Sequence, residues 1–333
     1  MCSRITYLGP DDIVMTGRSL DWTVPMQTSF YVMPAGLEQH GAAGPDSITW
    51  TSQYGSLVIV GYDGVSVDGL NEHGLLVNKL YLAEADYGAP VATGDRPLLS
   101  VAGWGQYVLD HYRNVDEVVA GLREEPFRLV ALTTPDGNPA VVHMSVTDPT
   151  GDTAIFEYVG GKLNIYHSRE YQVMTNSPAF NEQLALTAYW QEIGDTMLPG
   201  TGRAADRFVR GSYYLHTIPV TGDYTKAAAA TLSIIRNMSV PLGVESTERP
   251  NDASTRWRIV ADLKNRMYFF ESAESPYMFW LDAKPLDYSV GAQVLRLGLT
   301  VDSTLIVDGE YFFGLANGLL RPEAPYAFLP AGV

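Results

Sequence analysis

Three observations predict a layered α+β fold. The first half of the chain is rich in short β-branched and apolar runs, helical patterns arrive in blocks, and no repeat or low-complexity linker divides the 333 residues. Single strands alternating with single helices would indicate a parallel sheet, whereas blocks of each indicate segregated layers. The opening runs, residues 2–6 and 14–20, flank the turn signal Gly9-Pro10-Asp11-Asp12 and are expected to pair. Apolar runs follow at 30–33, 57–62, 65–70 and 75–82, broken by Tyr62-Asp63-Gly64 and Asn71-Glu72-His73-Gly74. Tyr62-Asp63-Gly64-Val65 between two such runs predicts a tight hairpin. Helical spacing then covers 97–112 and 115–122, the latter with Asn114 as its N-cap. Strands are expected at 140–146, 153–158, 162–166 and 171–174, and helices at 181–193, 204–215 and 225–237. The last third returns to strands at 256–262, 267–271, 278–280 and 294–297. Residues 243–255 are polar and turn-rich and read as a long loop within one domain spanning residues 1–333.

Composition narrows the functional classes. The 22 basic and 38 acidic residues leave a formal charge of −16, against a nucleic-acid or anionic-membrane partner, since both need a basic surface. No apolar run is long enough to span a bilayer, and residues 1–25 contain no signal-type apolar core. The chain as written is expected in the cytoplasm, or in the periplasm if a leader precedes it. With 20 Tyr, 11 Phe and 6 Trp, apolar-walled pockets are readily built, though aromatic rings serve chiefly as core.

Several catalytic motifs are missing. There is no G-x-S-x-G elbow, no H-E-x-x-H and no phosphate-binding loop, and the six histidines are scattered without ligand spacing. Leu198-Pro199-Gly200-Thr201-Gly202 imitates a sorting signal but lacks the apolar tail and basic end after it. Asn237-Met238-Ser239 is a glycosylation sequon by pattern alone. No metal and no cofactor are expected.

The single cysteine is residue 2, which excludes an intramolecular disulfide and a multi-thiolate zinc site. A lone cysteine is ordinarily a small buried hydrophobe. Position 2 gives it a second reading, because removal of Met1 leaves a thiol and a free α-amine on one residue. An α-amine titrates near pH 8, roughly, so it can take the thiol proton without a histidine. If strand 14–20 pairs with 2–6, Arg18 and Asp21 come beside Cys2, where a cation favours the thiolate and a carboxylate can hold the amine. The plain alternative is a surface ion pair. Arg18 and Asp21 are three apart, so a regular strand sends them to opposite faces, and both reach one site only if the strand ends or bulges near Leu20.

Together these residues resemble the choloylglycine hydrolase family of N-terminal-nucleophile hydrolases, which includes penicillin V acylases and conjugated bile salt hydrolases. The resemblance rests on ordered blocks: Met1-Cys2 with Gly17-Arg18-Ser19-Leu20-Asp21, then Gly69-Leu70-Asn71-Glu72-His73-Gly74-Leu75, then Met174-Thr175-Asn176-Ser177-Pro178. Leu198-Pro199-Gly200 with Asp206-Arg207-Phe208-Val209-Arg210 follows, and residues 256–271 resemble a late strand pair. It implies a four-layer αββα sandwich. By the same resemblance Cys2 is the nucleophile with its α-amine as base, Arg18 and Asp21 hold the thiolate and amine, Asn176 donates to the oxyanion, and Arg207 completes the charge network. Taken singly, Asn176 would be a turn residue before Ser177-Pro178, and Arg207 or Arg210 a solvated helix charge.

Two features bear on the substrate. Tyr81 stands where bile salt hydrolases carry an asparagine, which is similar to the penicillin V acylase branch. Only residues 177–206 separate Asn176 from Arg207, and this short connection, with Trp22 after Asp21, resembles the Gram-negative members. The resemblance therefore implies a small-molecule N-acyl amide substrate such as penicillin V or an N-acyl homoserine lactone, an apolar acyl pocket lined partly by Trp22 and Tyr81, and a homotetramer. A conjugated bile salt hydrolase is the alternative, and a silent small-molecule binder on the same fold is the alternative of another class.

Overall fold

The computed structural model describes residues 1–89, 96–193, 197–244 and 253–331. Two large sheets lie face to face. One has seven strands, in the order Val173–Met174, Cys2–Leu8, Val14–Asp21, Thr255–Asp262, Met267–Ser272, Met278–Asp282 and Gly314–Leu315. The other has nine: Lys162–His167, Thr153–Val159, Val142–Thr147, Leu76–Tyr81, Val65–Asn71, Ser56–Gly61, Ser29–Met33, Leu295–Gly298 and Arg321–Pro322. Strand alternation sends Trp257, Ile259, Phe270 and Phe279 of the first sheet against Phe30, Leu70, Leu76 and Leu80 of the second, forming the central core. Phe30 meets Phe270 and Phe279 edge-on, with ring centroids 5.3 and 5.7 Å apart.

Helices cover the outer faces. α1 (Trp104–His111) and α2 (Val115–Arg123) pack on the nine-stranded sheet over a second apolar cluster built on Val58, Val77, Leu109 and Phe156. α3 (Phe180–Ile193), α4 (Ala204–Thr217) and α5 (Tyr224–Met238) form the opposite layer, with α5 lying across strands Cys2–Leu8, Val14–Asp21 and Thr255–Asp262. Its Ile235 and Thr231 approach Gly17 so closely that a Cβ there would meet Ile235 at 2.7 Å, so this strand needs glycine at that point. The result is the αββα sandwich expected from the resemblance, with mixed helices and sheets.

Local chemistry accounts for most boundaries. Tyr62 and Asp63 both adopt positive φ, 51° and 52°, and the Gly64 N–H donates to the Gly61 carbonyl at 3.1 Å, which closes the expected hairpin. Asn114 caps α2 by accepting the Glu117 N–H at 2.9 Å. Three expectations need correction. Residues 98–100 are not helical but form strand Leu98–Ser100, parallel to Arg128–Val130; a 3₁₀ turn (Val101–Gly103) follows before α1 starts. A distant partner strand offers Leu98 and Leu99 both pairing and burial, which helical spacing does not register. The run at 140–146 is broken: Pro139–Ala140 pairs with Leu132–Thr133, and Val142–Thr147 joins the large sheet. Of 171–174 only Val173–Met174 is strand. The middle of the 243–255 segment lies outside the described residues.

Candidate active site

Cys2 opens the second strand of the seven-stranded sheet, and the antiparallel register sets it opposite Leu20, with Arg4 opposite Arg18. Pairing and alternation put the Cys2 and Arg18 side chains on the inter-sheet face beside Trp257, itself opposite Leu20. Arg18 is wholly buried. Its Nη2 donates to the Lys79 carbonyl at 3.1 Å and lies 3.5 Å from Cys2 Sγ, and its guanidinium stacks 4.5 Å from the Trp257 ring centroid. The chain's one thiol therefore faces a fixed positive charge. Behind it, Arg18 Nη1 is 4.0 Å from Asp68, whose carboxylate accepts from Asn78 Nδ2 at 2.6 Å and from the Tyr268 hydroxyl. Burial pushes Asp68 up to about 6, against the pull of the Arg18 charge and these hydrogen bonds.

Asp21 lies on the other face of its strand and bonds the Met1 backbone. Its strand ends there, and a register shift between Thr255 and Trp257 lies directly alongside. Thr255 Oγ1 donates to Asp21 Oδ1 at 2.5 Å, Arg207 Nη1 is 3.9 Å from Oδ2, and Oδ2 is buried without a hydrogen-bond donor. The difficulty of reaching one site from two faces resolves because Cys2 is at a strand end: its thiol projects between the sheets, while its backbone turns toward the helical layer. There the Cys2 N–H donates to Asn176 Oδ1 at 2.8 Å. Met1 continues the chain into a buried position where its ammonium donates to the Asp21 carbonyl at 2.6 Å, and burial holds that amine below its usual value.

Asn176 and Arg207 complete the set. Asn176 Oδ1 also accepts from Arg207 Nη2 at 2.6 Å, and its Nδ2 donates to the Tyr81 carbonyl at 2.6 Å, leaving the second amide hydrogen uncommitted. Arg207, brought in by α4, is fully buried and donates to Cys2 O and Ser3 Oγ, both at 2.5 Å, and to Gly202 O at 2.9 Å. Arg210 stands apart, holding the Pro199 and Thr201 carbonyls and the Asn237 side chain. An apolar cavity of about 70 Å³ opens at Cys2 and Arg18, walled by Trp22, Met26, Tyr62, Val65 and Tyr81 among others; the Trp22 and Tyr81 rings are 6.0 Å apart.

All seven residues named from the sequence thus converge: Cys2, Arg18, Asp21, Asn176 and Arg207 on one polar constellation, Trp22 and Tyr81 on the adjoining cavity. Asp68, Lys79, Thr255 and Ser3 were missed. Asp68 did carry a sequence signal, as an acid inside an otherwise buried strand; Thr255 carried none, since only sheet order brings it beside Asp21. His143 was also missed. It is buried and bonds Glu157 Oε1 and the Thr175 carbonyl, both at 2.8 Å, bracing the segment that carries Asn176. At the surface Asp116, Asp152 and His167 bring potential ligand atoms within 4.8 Å of one another, and the His167–Asp152 hydrogen bond of 2.7 Å satisfies that pair without an ion.

Comparison with known families places the chain as a whole. The model of the linear amide C–N hydrolases, choloylglycine hydrolase family, matches residues 2–289. The chain belongs to that family. It is an amidohydrolase acting on linear amides. A penicillin V acylase of Pectobacterium atrosepticum is 44% identical over 98% of this chain and 92% of its own length. The solved penicillin V acylase of Agrobacterium tumefaciens superimposes with a TM-score of 0.90 at 46% identity, covering 99% of this chain and 100% of that one. Bile salt hydrolases are more distant family relatives. A bile salt hydrolase/transferase of Bifidobacterium longum subsp. longum is 24% identical over 64% of this chain and 73% of its own. A mutant conjugated bile acid hydrolase from Clostridium perfringens, 19% identical with a TM-score of 0.74, shares the fold over 95% of this chain and 98% of its own.

Proposed function

We propose that this family member removes apolar acyl groups from N-acyl amides, penicillin V and N-acyl homoserine lactones among them, through a thioester on Cys2. The observation that carries the reading is the surroundings of Cys2. Its thiol faces Arg18 at 3.5 Å and an apolar cavity, while its nitrogen lies 2.8 Å from Asn176 Oδ1. Processing that ends immediately before Cys2 turns this nitrogen into an amine with the Asn176 oxygen as an acceptor at hand, and the amine then takes the thiol proton. The thiolate attacks the amide carbonyl and the free hydrogen of the Asn176 amide meets the oxyanion. The carbon–nitrogen bond breaks as the protonated α-amine gives its proton to the leaving amine. Water, deprotonated by the same amine, hydrolyses the thioester. Arg207 keeps Asn176 and the Cys2 carbonyl in place throughout.

The full-length relatives that carry the name penicillin V acylase support a phenoxyacetyl-type acyl group over a bile acid. The test is release of 6-aminopenicillanic acid from penicillin V by protein whose N-terminal Cys2 is verified by intact mass. Cys2→Ala abolishes turnover with little change in thermal midpoint, and a form that retains Met1 is inactive. No turnover on penicillin V, penicillin G, glycocholate, taurocholate or acyl homoserine lactones would falsify this reading. We also propose a homotetramer, supported by the family resemblance and by the exposed Leu186, Tyr189 and Ile193 along α3; sedimentation giving a monomer counts against it.

A further inference from the structure

The cavity beside Cys2 has walls from separate parts of the chain: Trp22 after strand Val14–Asp21, Tyr62 in the hairpin turn, Tyr81 at the end of Leu76–Tyr81, and Thr134 and Ala140 in a small hairpin. That hairpin pairs Leu132–Thr133 with Pro139–Ala140, and one carboxylate at its tip joins three of these walls. Asp136 Oδ2 accepts the Trp22 Nε1–H at 3.0 Å and the Asn138 amide at 2.9 Å, and Oδ1 accepts the Thr134 hydroxyl. The Tyr62 hydroxyl accepts the same indole N–H at 2.7 Å and itself bonds to Asp136. Arg256 secures the Trp22 segment from behind by donating to the Trp22 carbonyl at 2.8 Å. Burial raises Asp136, but hydrogen bonds from Thr134, Asn138, Trp22 and Tyr62 outweigh it and hold the carboxyl below its usual range, so it is ionised at neutral pH.

The size of the cavity gives this junction its meaning. Pockets that bury a small ligand measure about 300–1,000 Å³, and here the space is about 70 Å³. A long acyl chain enters only if Trp22 or Tyr62 moves relative to the hairpin. We propose that Asp136 is a specificity-determining positioning residue: by tying Trp22 and Tyr62 to the 132–140 hairpin it keeps the acyl cavity short, so that compact neutral acyl groups are selected over long chains. The proposal deepens the acylase reading and rests on it. The hairpin does not depend on Asp136 to fold, because Thr134 N–H bonds Asn138 O and Gly137 N–H bonds Thr134 O, both at 2.8 Å, and Leu132 and Ala140 are buried in the second apolar cluster. Loss of the carboxylate leaves the indole bonded to Tyr62 alone, unties both rings from the hairpin, and leaves the hairpin standing.

The experiment compares wild type, Asp136→Ala and Asp136→Asn, each with an N-terminal Cys2, on N-acyl p-nitroanilides from butanoyl to dodecanoyl. For Asp136→Ala the ratio of kcat/KM for dodecanoyl over butanoyl rises about ten-fold, the worth of one hydrogen bond to a charged group. The change lies in KM for the long chain, with kcat on the butanoyl substrate kept. Asp136→Asn, which still offers an oxygen to the indole, restores most of the wild-type ratio. An unchanged ratio, or an equal loss at every chain length, overturns the proposal. Affinity of the same anilides for Cys2→Ala protein, with and without Asp136→Ala, separates the two readings. If wild type cleaves none of them, the catalytic reading fails. The latch survives only if Asp136→Ala tightens dodecanoyl binding, and falls if it does not.

Discussion

Replacing Arg207 by leucine tests the polar constellation most directly. Its guanidinium donates to four oxygens, on Gly202, Cys2, Ser3 and Asn176, and stands 3.9 Å from the Asp21 carboxylate, all out of water. Each hydrogen bond to a charged group is worth about 1.5–3 kcal/mol net. They are not independent, because Asn176 Oδ1 keeps the Cys2 N–H and Asp21 Oδ1 keeps Thr255. The applicable magnitude is that of breaking one side of a buried ion pair, about 3–5 kcal/mol. Arg207→Lys retains the charge but not the planar fork that serves several acceptors at once, and is expected to lose about 2 kcal/mol. Urea unfolding at neutral pH with linear extrapolation measures both, and the kcat of each variant reports whether Asn176 keeps its orientation. A leucine variant within about 1 kcal/mol of wild type would refute the reasoning, because it would mean the buried Asp21 carboxylate needs no cation.

Two further outcomes follow from the site. Asn176→Ala should lower kcat about 100-fold, equivalent to roughly 3 kcal/mol, with a smaller effect on KM; an unaltered kcat means the amide does not meet the oxyanion. Lys79 is buried, bonds the Val101 and Ala102 carbonyls at 2.6 and 3.2 Å, and is lowered by burial from 10.5 to about 7. Between those values the unfolded chain binds the proton that the folded one has released, so this residue's contribution makes stability rise with pH from 7 to 10.5. Lys79→Met should flatten that rise relative to wild type in urea melts at several pH values. Parallel curves for the two proteins would show that Lys79 does not change protonation on folding.

Much of the fold could be read from local pattern. The runs at 14–20, 57–62 and 65–70 became strands Val14–Asp21, Ser56–Gly61 and Val65–Asn71, because apolar, β-branched stretches broken by turn residues have few other ways to bury themselves. The failure at 98–100 is the complement. Leu98-Leu99-Ser100 takes its conformation from Arg128–Val130, a partner that local spacing does not reveal. The site divides along the same line. Residues within motifs were identifiable, but Thr255 and Asp136 reach Asp21 and Trp22 only through strand order and the packing of a distant hairpin.

By itself the sequence determined the chemical inventory: one thiol, at position 2, a formal charge of −16, and ordered arginine, aspartate and asparagine motifs that resemble one hydrolase family. The tertiary structure decided who touches whom. Arg18 meets the thiol, while Asn176 and Arg207 meet the backbone of the same residue, because Cys2 lies at a strand end between two layers. Hydrogen bonds weaken steeply with poor distance or angle, and in this fold those geometries are set by sheet register and helix packing. No residue type or spacing along the chain specifies them.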